Sequence, residues 1–361
     1  KRKIVERLES EGRGKLAVNY RLRDWLLSRQ RYWGCPIPVV HCPDCGIVPV
    51  PDDQLPVELP DVEDYRPKGK SPLAAAIDWV ETTCPSCGVP ARRETDTMDT
   101  FVDSSWYFLR YLDPRNEELP FGREVADHWM PVDQYIGGVE HAILHLMYAR
   151  FFVKALADEG MLSAQEPFER LFTQGMITRD GAKMSKSKGN VVSPAGIIER
   201  HGADTARTYV CFMAPPERGG DWVDEGAEGV HRFLARLWRL ATEVAAAGVE
   251  APAGEWQRDA SGPARELVAK AHWAIDKATR DFGRDFQFNT VIAAVMELVN
   301  DAYRLRPELG DDPSMRFAAS TAASLIYPFA PHLASELWEL IEGGAIWEEP
   351  WPVADPDLLA S

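Results

Sequence analysis

At about residue 222 the hydrophobic pattern of this 361-residue chain changes period, and that change constrains the fold more than any single motif. Downstream, apolar residues recur every three or four positions through the segments 225–247, 263–281, 288–305 and 315–341, with Pro, Gly and acidic residues at the joins. Such spacing places one apolar stripe on each helix, and several stripes bury one another in a bundle. Upstream, short apolar runs alternate with turn residues. Residues 132–136 read as a strand stopped by Gly137 and Gly138, and 171–177 as a second strand. Helices are expected over 96–112, from about Glu140 to Ala157, and over 194–201. Strand, helix, strand, loop is the order of half a parallel sheet. The predicted fold class is therefore α/β, with the second half of a Rossmann-type sheet followed by an all-α bundle.

The segment 35–95 interrupts this order. It is rich in Pro and carries two cysteine pairs, Cys42-Pro-Asp-Cys45-Gly and Cys84-Pro-Ser-Cys87-Gly, separated by residues 46–83. Two C-x-x-C units with Pro and Gly at tight turns predict a closed four-thiolate zinc site. A closed site has no open position, so the metal would be structural. Four unligated buried cysteines are the alternative. Cys35 and Cys211 stand apart.

Composition excludes some classes. Hydrophobic residues make up 45% and charged residues 27%, ordinary for a globular protein. No apolar run approaches the ~20 residues of a membrane span, and residues 1–6 lack the apolar stretch of a signal peptide. The expected location is the cytoplasm, with no membrane partner. The net charge of −16 argues mildly against nucleic acid, yet residues 1–31 hold ten Lys or Arg against four acids. Within 20–33, Arg21, Arg23 and Arg29 alternate with aromatics. They are candidates for phosphate contacts and base stacking, with a packed helix of snorkelling arginines as an equal competitor.

Three further strings carry chemistry. Lys183-Met184-Ser185-Lys186-Ser187-Lys188-Gly189-Asn190 sets three lysines in a loop flanked by Asp180-Gly181 and Gly189-Asn190. Such a loop can close ammonium groups onto a triphosphate and stabilise the charge that grows on a leaving pyrophosphate. On composition alone it is equally a solvated basic turn. In Tyr135-Ile136-Gly137-Gly138-Val139-Glu140-His141-Ala142-Ile143-Leu144-His145, backbone can approach a nucleotide closely at the glycines, and Glu140 can accept from a ribose diol. His141 and His145, four apart, would share a helix face; two core histidines are the plainer alternative. Phe101, Ser104 and Tyr107, three apart in 94–111, would line one helix face with two apolar walls and a hydroxyl, or form an ordinary core stripe.

These strings together resemble bacterial leucyl-tRNA synthetases, of class I of the aminoacyl-tRNA synthetases. The likeness runs through about 12–350, and 94–111, 135–152 and 183–190 favour the leucine enzymes over the valine and isoleucine ones. The C-terminal strings Asp285-Phe286-Gln287-Phe288-Asn289-Thr290 and Tyr327-Pro328-Phe329-Ala330-Pro331-His332-Leu333 resemble that subgroup's anticodon-binding bundle. The resemblance implies ATP-dependent activation of leucine to leucyl-adenylate and transfer to tRNA(Leu), with Mg accompanying ATP. It implies that Lys186, assisted by Lys183, stabilises the pyrophosphate. Gly138, Glu140, Met176, Met184 and Lys186 would hold ATP, while Phe101, Ser104, Tyr107, His141 and His145 would surround the amino acid. Cys42, Cys45, Cys84 and Cys87 would hold zinc.

The implied organisation is a connection over 1–34, a zinc-binding insertion over 35–95, and a catalytic half over 96–221. An anticodon-binding domain over 222–350 and a tail over 351–361 follow. None of the eight histidines begins a His-x-Gly-His string, the family's other nucleotide motif. The first half-site, the editing domain and the small C-terminal domain are thus expected to be missing, with the chain beginning inside a helix. The isolated chain is then expected to be inactive, a fragment or one subunit of a split synthetase whose N-terminal half is supplied elsewhere. A non-catalytic, zinc-stabilised tRNA-binding module is the alternative, with valyl or isoleucyl specificity behind it.

Overall fold

The computed structural model describes residues 2–18, 25–66, 69, 71–283 and 286–359. Arg21, Arg23 and Asp285 lie outside the described residues. The chain divides into two compact units, Lys1–Asp133 with His141–Glu169, and Gln134–Glu140 with Arg170–Ser361. Among the described residues no helix is long and apolar enough to cross a membrane.

The first unit has two small cores. Strands Gly46–Pro49, Val39–Cys42, Pro90–Arg93 and Glu81–Thr83, in that order, form an antiparallel sheet. Val40, Val48, Val50 and Ala91 fill one side of it together with Cys42 and Cys84. The second core gathers helices Tyr107–Leu112, Arg123–Trp129 and His145–Asp158 around Phe108, Leu109, Ala126, Ala149 and Val153. The continuous helix expected over 96–112 is replaced by strand Thr97–Met98 and two short helices, Phe101–Ser104 and Tyr107–Leu112. The Asp99 carboxylate explains the start: it accepts the Phe101 N–H at 2.8 Å, satisfying an early donor of the turn. Trp106, at φ −140° and ψ 6°, ends that turn.

In the second unit, Tyr135–Gly138 and Leu171–Gln174 pair in parallel, in register from Tyr135↔Leu171 to Gly138↔Gln174. The strand expected to stop at Gly137 runs through both glycines. The expected strand over 171–177 divides at Gly175, after which Ile177–Arg179 joins Ala182–Lys183 and Gly220–Asp221 in a three-stranded sheet. Helices Ala195–His201 and Ala203–Phe212 lead into the bundle.

The bundle comprises helices Asp224–Ala247, Gly262–Gly283, Phe288–Leu309, Pro313–Ile326 and Pro331–Ile341. Leu237, Leu240, Leu267, Val291, Leu298 and Leu325 are fully buried among them, the apolar stripes read in the sequence. Among the described residues no strand follows residue 222. The segment expected as one helix, 315–341, is two, because Pro331 lacks the N–H a helix interior needs and instead occupies a first-turn position. Arg207 donates to the Pro328 and Phe329 carbonyls at that corner. Within the expected tail, Leu358 is buried and Arg258 pairs with Asp355 at 2.9 Å.

Candidate active site and zinc site

The lysine loop hangs from a hairpin of strands Ile177–Arg179 and Ala182–Lys183, whose turn residues Asp180 and Gly181 both have positive φ, 53° and 68°. Asp221 holds that hairpin. Its carboxylate accepts from the Thr178 hydroxyl at 2.7 Å and the Gly181 N–H at 3.0 Å. These donors hold its pKa below the usual carboxylate range, the Thr178 hydroxyl most. Behind the hairpin two backbones cross at Gly175 and Gly219. A Cβ on Gly175 would lie 2.0 Å from the Gly219 nitrogen, and one on Gly219 would lie 2.2 Å from the Met176 carbonyl. Only glycine fits at either position, and Met176 is thereby fixed on the strand entrance.

Within the loop, Ser185 Oγ accepts the Lys188 N–H at 3.3 Å, and Asn190 Oδ1 accepts the Ser185 N–H at 2.9 Å. The Asn190 amide donates back to the Lys183 carbonyl at 3.2 Å. The loop is thus braced across its neck while Lys186 and Lys188 remain exposed, with no ion-pair partner among the described residues. Lys183 Nζ lies 3.6 Å from Glu140 Oε1, both side chains more than half exposed. An exposed pair of this kind contributes at most about 1 kcal/mol, so a more highly charged anion displaces it. Gly138, Glu140, Met176, Met184 and Lys186 belong to one unit, the first three at or just beyond the ends of two paired strands and the last two in the lysine loop. Asp221 and the Gly175–Gly219 crossing were not anticipated, and Asn190 was read only as a turn residue; the Gly-Gly pair at 219–220 was the available signal.

The proposed amino-acid residues fall in the first unit. Tyr107 stacks against His145, ring centroids 6.2 Å apart, and His141 meets His145 edge-on at 6.0 Å. The two histidines do not share a helix face as expected. His141 lies in a 3-10 turn, Val139–Ile143, and His145 opens the next helix after Leu144 breaks the path at ψ −102°. The break nevertheless brings the rings together. Burial, and secondarily the neighbouring His141, push the His145 pKa down. Phe101 packs on Tyr148 at 5.1 Å, and Tyr148 stacks on Trp25 at 4.2 Å. The Ser104 hydroxyl is weakly tied to the Phe101 carbonyl at 3.5 Å. The three residues do not lie on one helix, since Trp106 separates Ser104 from Tyr107.

Arg29, expected among phosphate-contacting arginines, is committed internally. Its guanidinium donates to the buried Asp99 carboxylate and to the Leu26 and Ser28 carbonyls. Removing it would leave the Asp99 charge buried without its cationic partner.

The sulfurs of Cys42, Cys45, Cys84 and Cys87 lie within 4.8 Å of one another. Cys42 and Cys87 sulfurs are 3.6 Å apart. A tetrahedral zinc with bonds of about 2.3 Å requires sulfurs about 3.8 Å apart, so the residues fit the ion. Gly46 and Gly88, at φ 76° and 74°, turn each knuckle. Although burial raises its pKa, the Cys87 and Ser86 N–H groups bring the Cys84 thiol down to about 7. Among the described residues this is the one cluster able to hold a metal; His141 and His145 form none.

Residues 15–222 match the family described as tRNA synthetases class I (I, L, M and V). The chain belongs to that family. Residues 264–361 match the anticodon-binding domain of tRNA ligases, through the segment expected as a tail. Among curated class I relatives, the leucine–tRNA ligase of Pseudothermotoga lettingae is 51% identical over 99% of this chain, which spans 44% of that relative. The LeuRS of Agrobacterium radiobacter K84, solved as a ternary complex with tRNA and LeuAMS, superposes with a TM-score of 0.86 at 38% identity. That match covers all of this chain and 47% of the solved one. The methionyl-tRNA synthetase of Mycobacterium tuberculosis, in complex with methionyl-adenylate, shares the fold at 20% identity and a TM-score of 0.53. It covers 74% of this chain and 56% of its own.

Proposed function

We propose that this chain supplies the lysine-loop half of a leucine–tRNA ligase, which joins leucine to ATP as leucyl-adenylate and passes it to a hydroxyl of tRNA(Leu). The observation that carries the reading is the 51% identity to a leucine–tRNA ligase across essentially the whole chain. The chemistry needs no covalent intermediate on the protein; it needs orientation and charge compensation. The leucine carboxylate attacks the α-phosphorus, and the bond from that phosphorus to the bridging oxygen of pyrophosphate breaks. Lys183 leaves Glu140 and, with Lys186, meets the charge that gathers on the leaving pyrophosphate. Glu140, released, accepts from the ribose hydroxyls, and Gly138 permits close approach of the nucleotide. Met176 and Met184 flank the adenine. Phe101, Ser104, Tyr107, His141 and His145 surround the leucine side chain, with His145 kept neutral by burial. Mg would neutralise phosphate charge when bound with ATP. Zinc on the four cysteines would be structural, and the cytoplasm is the natural compartment.

The chain covers under half of its leucine-ligase relatives and has no His-x-Gly-His string. ATP–pyrophosphate exchange therefore tests the reading directly. The chain alone should be inactive, and a complementary N-terminal half should restore exchange with leucine but not with valine or isoleucine. No exchange in the reconstituted pair would favour a non-catalytic, zinc-stabilised tRNA-binding module.

A further inference from the structure

The string Phe286-Gln287-Phe288, singled out in the sequence, is used by neither the lysine loop nor the zinc site. Its Phe286 has φ 53°, and among the described residues the other non-glycine residue at positive φ is Asp180 of the hairpin turn. A short polar Asp tolerates that region because its side chain can bond locally; a bulky aromatic pays strain there. Such strain persists only where the surroundings over-determine it. They do so here. Gln287, at φ −73° and ψ 61°, centres an inverse γ-turn in which the Phe288 N–H donates to the Phe286 carbonyl at 2.7 Å. The Gln287 N–H donates to the Asp281 carbonyl at 3.1 Å. The Asp281 carboxylate in turn accepts from Lys277 at 2.9 Å and from the Thr290 hydroxyl.

What the strained turn delivers is a ring. Phe286 meets Phe172 edge-on, with centroids 5.2 Å apart and planes at 89°, and meets Phe288 at 5.7 Å. Phe288 packs on Phe282 at 5.9 Å and on Phe329 at 5.7 Å, rings that join the large core of the second unit. Phe172 lies in strand Leu171–Gln174, opposite Ile136 of the strand that ends at Gly138. Beyond Gln174 the chain passes Gly175, whose backbone already presses on Gly219, and reaches Met176. Packing downstream of Phe172 is thin: Gln174, Gly175 and Ile177 line a cavity of about 220 Å³ together with Phe288. A shift of the strand at Phe172 therefore finds no slack at the Gly175 crossing and carries on to Met176. We infer that Phe286 is a positioning residue for nucleotide binding: its turn braces Phe172 and, through that strand, sets where Met176 meets the adenine. The inference rests on the proposed ligase reading, in which Met176 flanks the adenine.

Two measurements test it. In the isolated chain, Phe286→Ala should speed amide hydrogen exchange at 172–176 by about twofold to tenfold, the worth of one edge-to-face ring pair. Phe286→Tyr, which keeps the ring, should exchange like the parent. In the pair reconstituted with an N-terminal half, Phe286→Ala should raise the KM for ATP by a similar factor and leave kcat and the leucine KM near their parental values, because binding lost equally before and in the transition state shows in KM. A merely structural role predicts the reverse, a smaller active fraction that lowers apparent kcat at unchanged KM. Phe172→Ala should reproduce the ATP effect, and the double variant should be no worse than either single change, since both remove one contact. Phe286→Gly separates strain from ring: it accommodates the positive φ, so it should melt no lower than Phe286→Ala while showing the same raised KM. An unchanged KM for ATP in folded Phe286→Ala, or additive effects of the two phenylalanines, overturns the positioning role. The ligase reading fails separately: a reconstituted parent without pyrophosphate exchange removes the adenine role, whereas hydrogen exchange in the isolated chain reports the brace by itself.

Discussion

Asp221 lies in no motif, yet it fixes the approach of the lysine loop. Its carboxylate ties the Thr178 hydroxyl and the Gly181 N–H across a turn whose Asp180 takes a positive φ. Asp221→Ala removes both bonds and loosens the hairpin. Amide exchange within 177–190 should accelerate accordingly, while Asp221→Asn, which keeps an acceptor, should show a smaller effect. Protection unchanged in Asp221→Ala would show that the strand pairing with Gly220–Asp221 suffices. The lysines themselves are tested in the reconstituted enzyme. Lys186→Ala should lower leucine-dependent exchange about a hundredfold or more, the usual scale for one lost group that stabilises leaving-group charge. His145 gives a pH signature. Its pKa is pushed below the ordinary histidine value by burial and by His141. The unfolded chain therefore binds a proton more readily than the folded one. Stability is full well above about pH 6.5, erodes as pH falls below that unfolded value, and levels off only beneath the depressed folded value. His272, likewise depressed by burial, adds to the same trend in the second unit. His145→Gln should shrink the stability loss between neutral and mildly acidic pH, measured by denaturant unfolding; an identical pH profile in the variant would assign the effect elsewhere.

At the scale of elements, the four-cysteine sheet shows what sequence conveys and what it omits. The two C-x-x-C-Gly units announced the knuckles because ligand spacing is local. The strand order that brings residues 42–45 beside 84–87 was not legible, since it depends on cross-strand register through Val40↔Arg93 and His41↔Arg92. The bundle helices were readable to within a few residues, because each repeats its apolar stripe over many turns. The failures cluster where a single local interaction outweighs periodicity. Pro331 divided a continuous stripe, Asp99 started a new turn inside an expected helix, and Leu144 separated two histidines assigned to one face. Arg29 was open for a different reason: an Arg beside aromatics looks the same in sequence whether or not it also pairs with a buried Asp99 seventy residues away. The cysteine element yields its own prediction. Purified chain should carry about one zinc, and Cys84→Ser should remove it and open residues 35–95 to protease, because metal affinity at such a site is coupled to folding. A metal-free parent with the same protease resistance would mean that the sheet's Val40, Val48, Val50 and Ala91 core holds it unaided.

At the scale of the molecule, each described hydrophobic cluster lies within a single unit. Phe108, Leu109 and Ala149 in one cluster and Val40, Val48 and Ala91 in another belong to the first unit. The large cluster running from Ile197 to Ile346 belongs to the second. The first-unit clusters are small, and one of them includes two proposed metal ligands, Cys42 and Cys84. The bundle core includes no four-cysteine group among the described residues, although His272 is buried beside it and Cys211 packs against it, and it rests on long, fully buried Leu, Val and Ile stripes. A chain built this way departs from a single all-or-none transition. Calorimetry should therefore resolve two transitions, and a zinc chelator should lower the first while leaving the second in place. The matching core change is Leu237→Ala, at a fully buried position of the bundle. It should cost about 2–5 kcal/mol and lower the second transition alone. Chelation and Leu237→Ala moving one common transition together would show that the two units unfold as one body, and the division drawn from their separate cores would have to be abandoned.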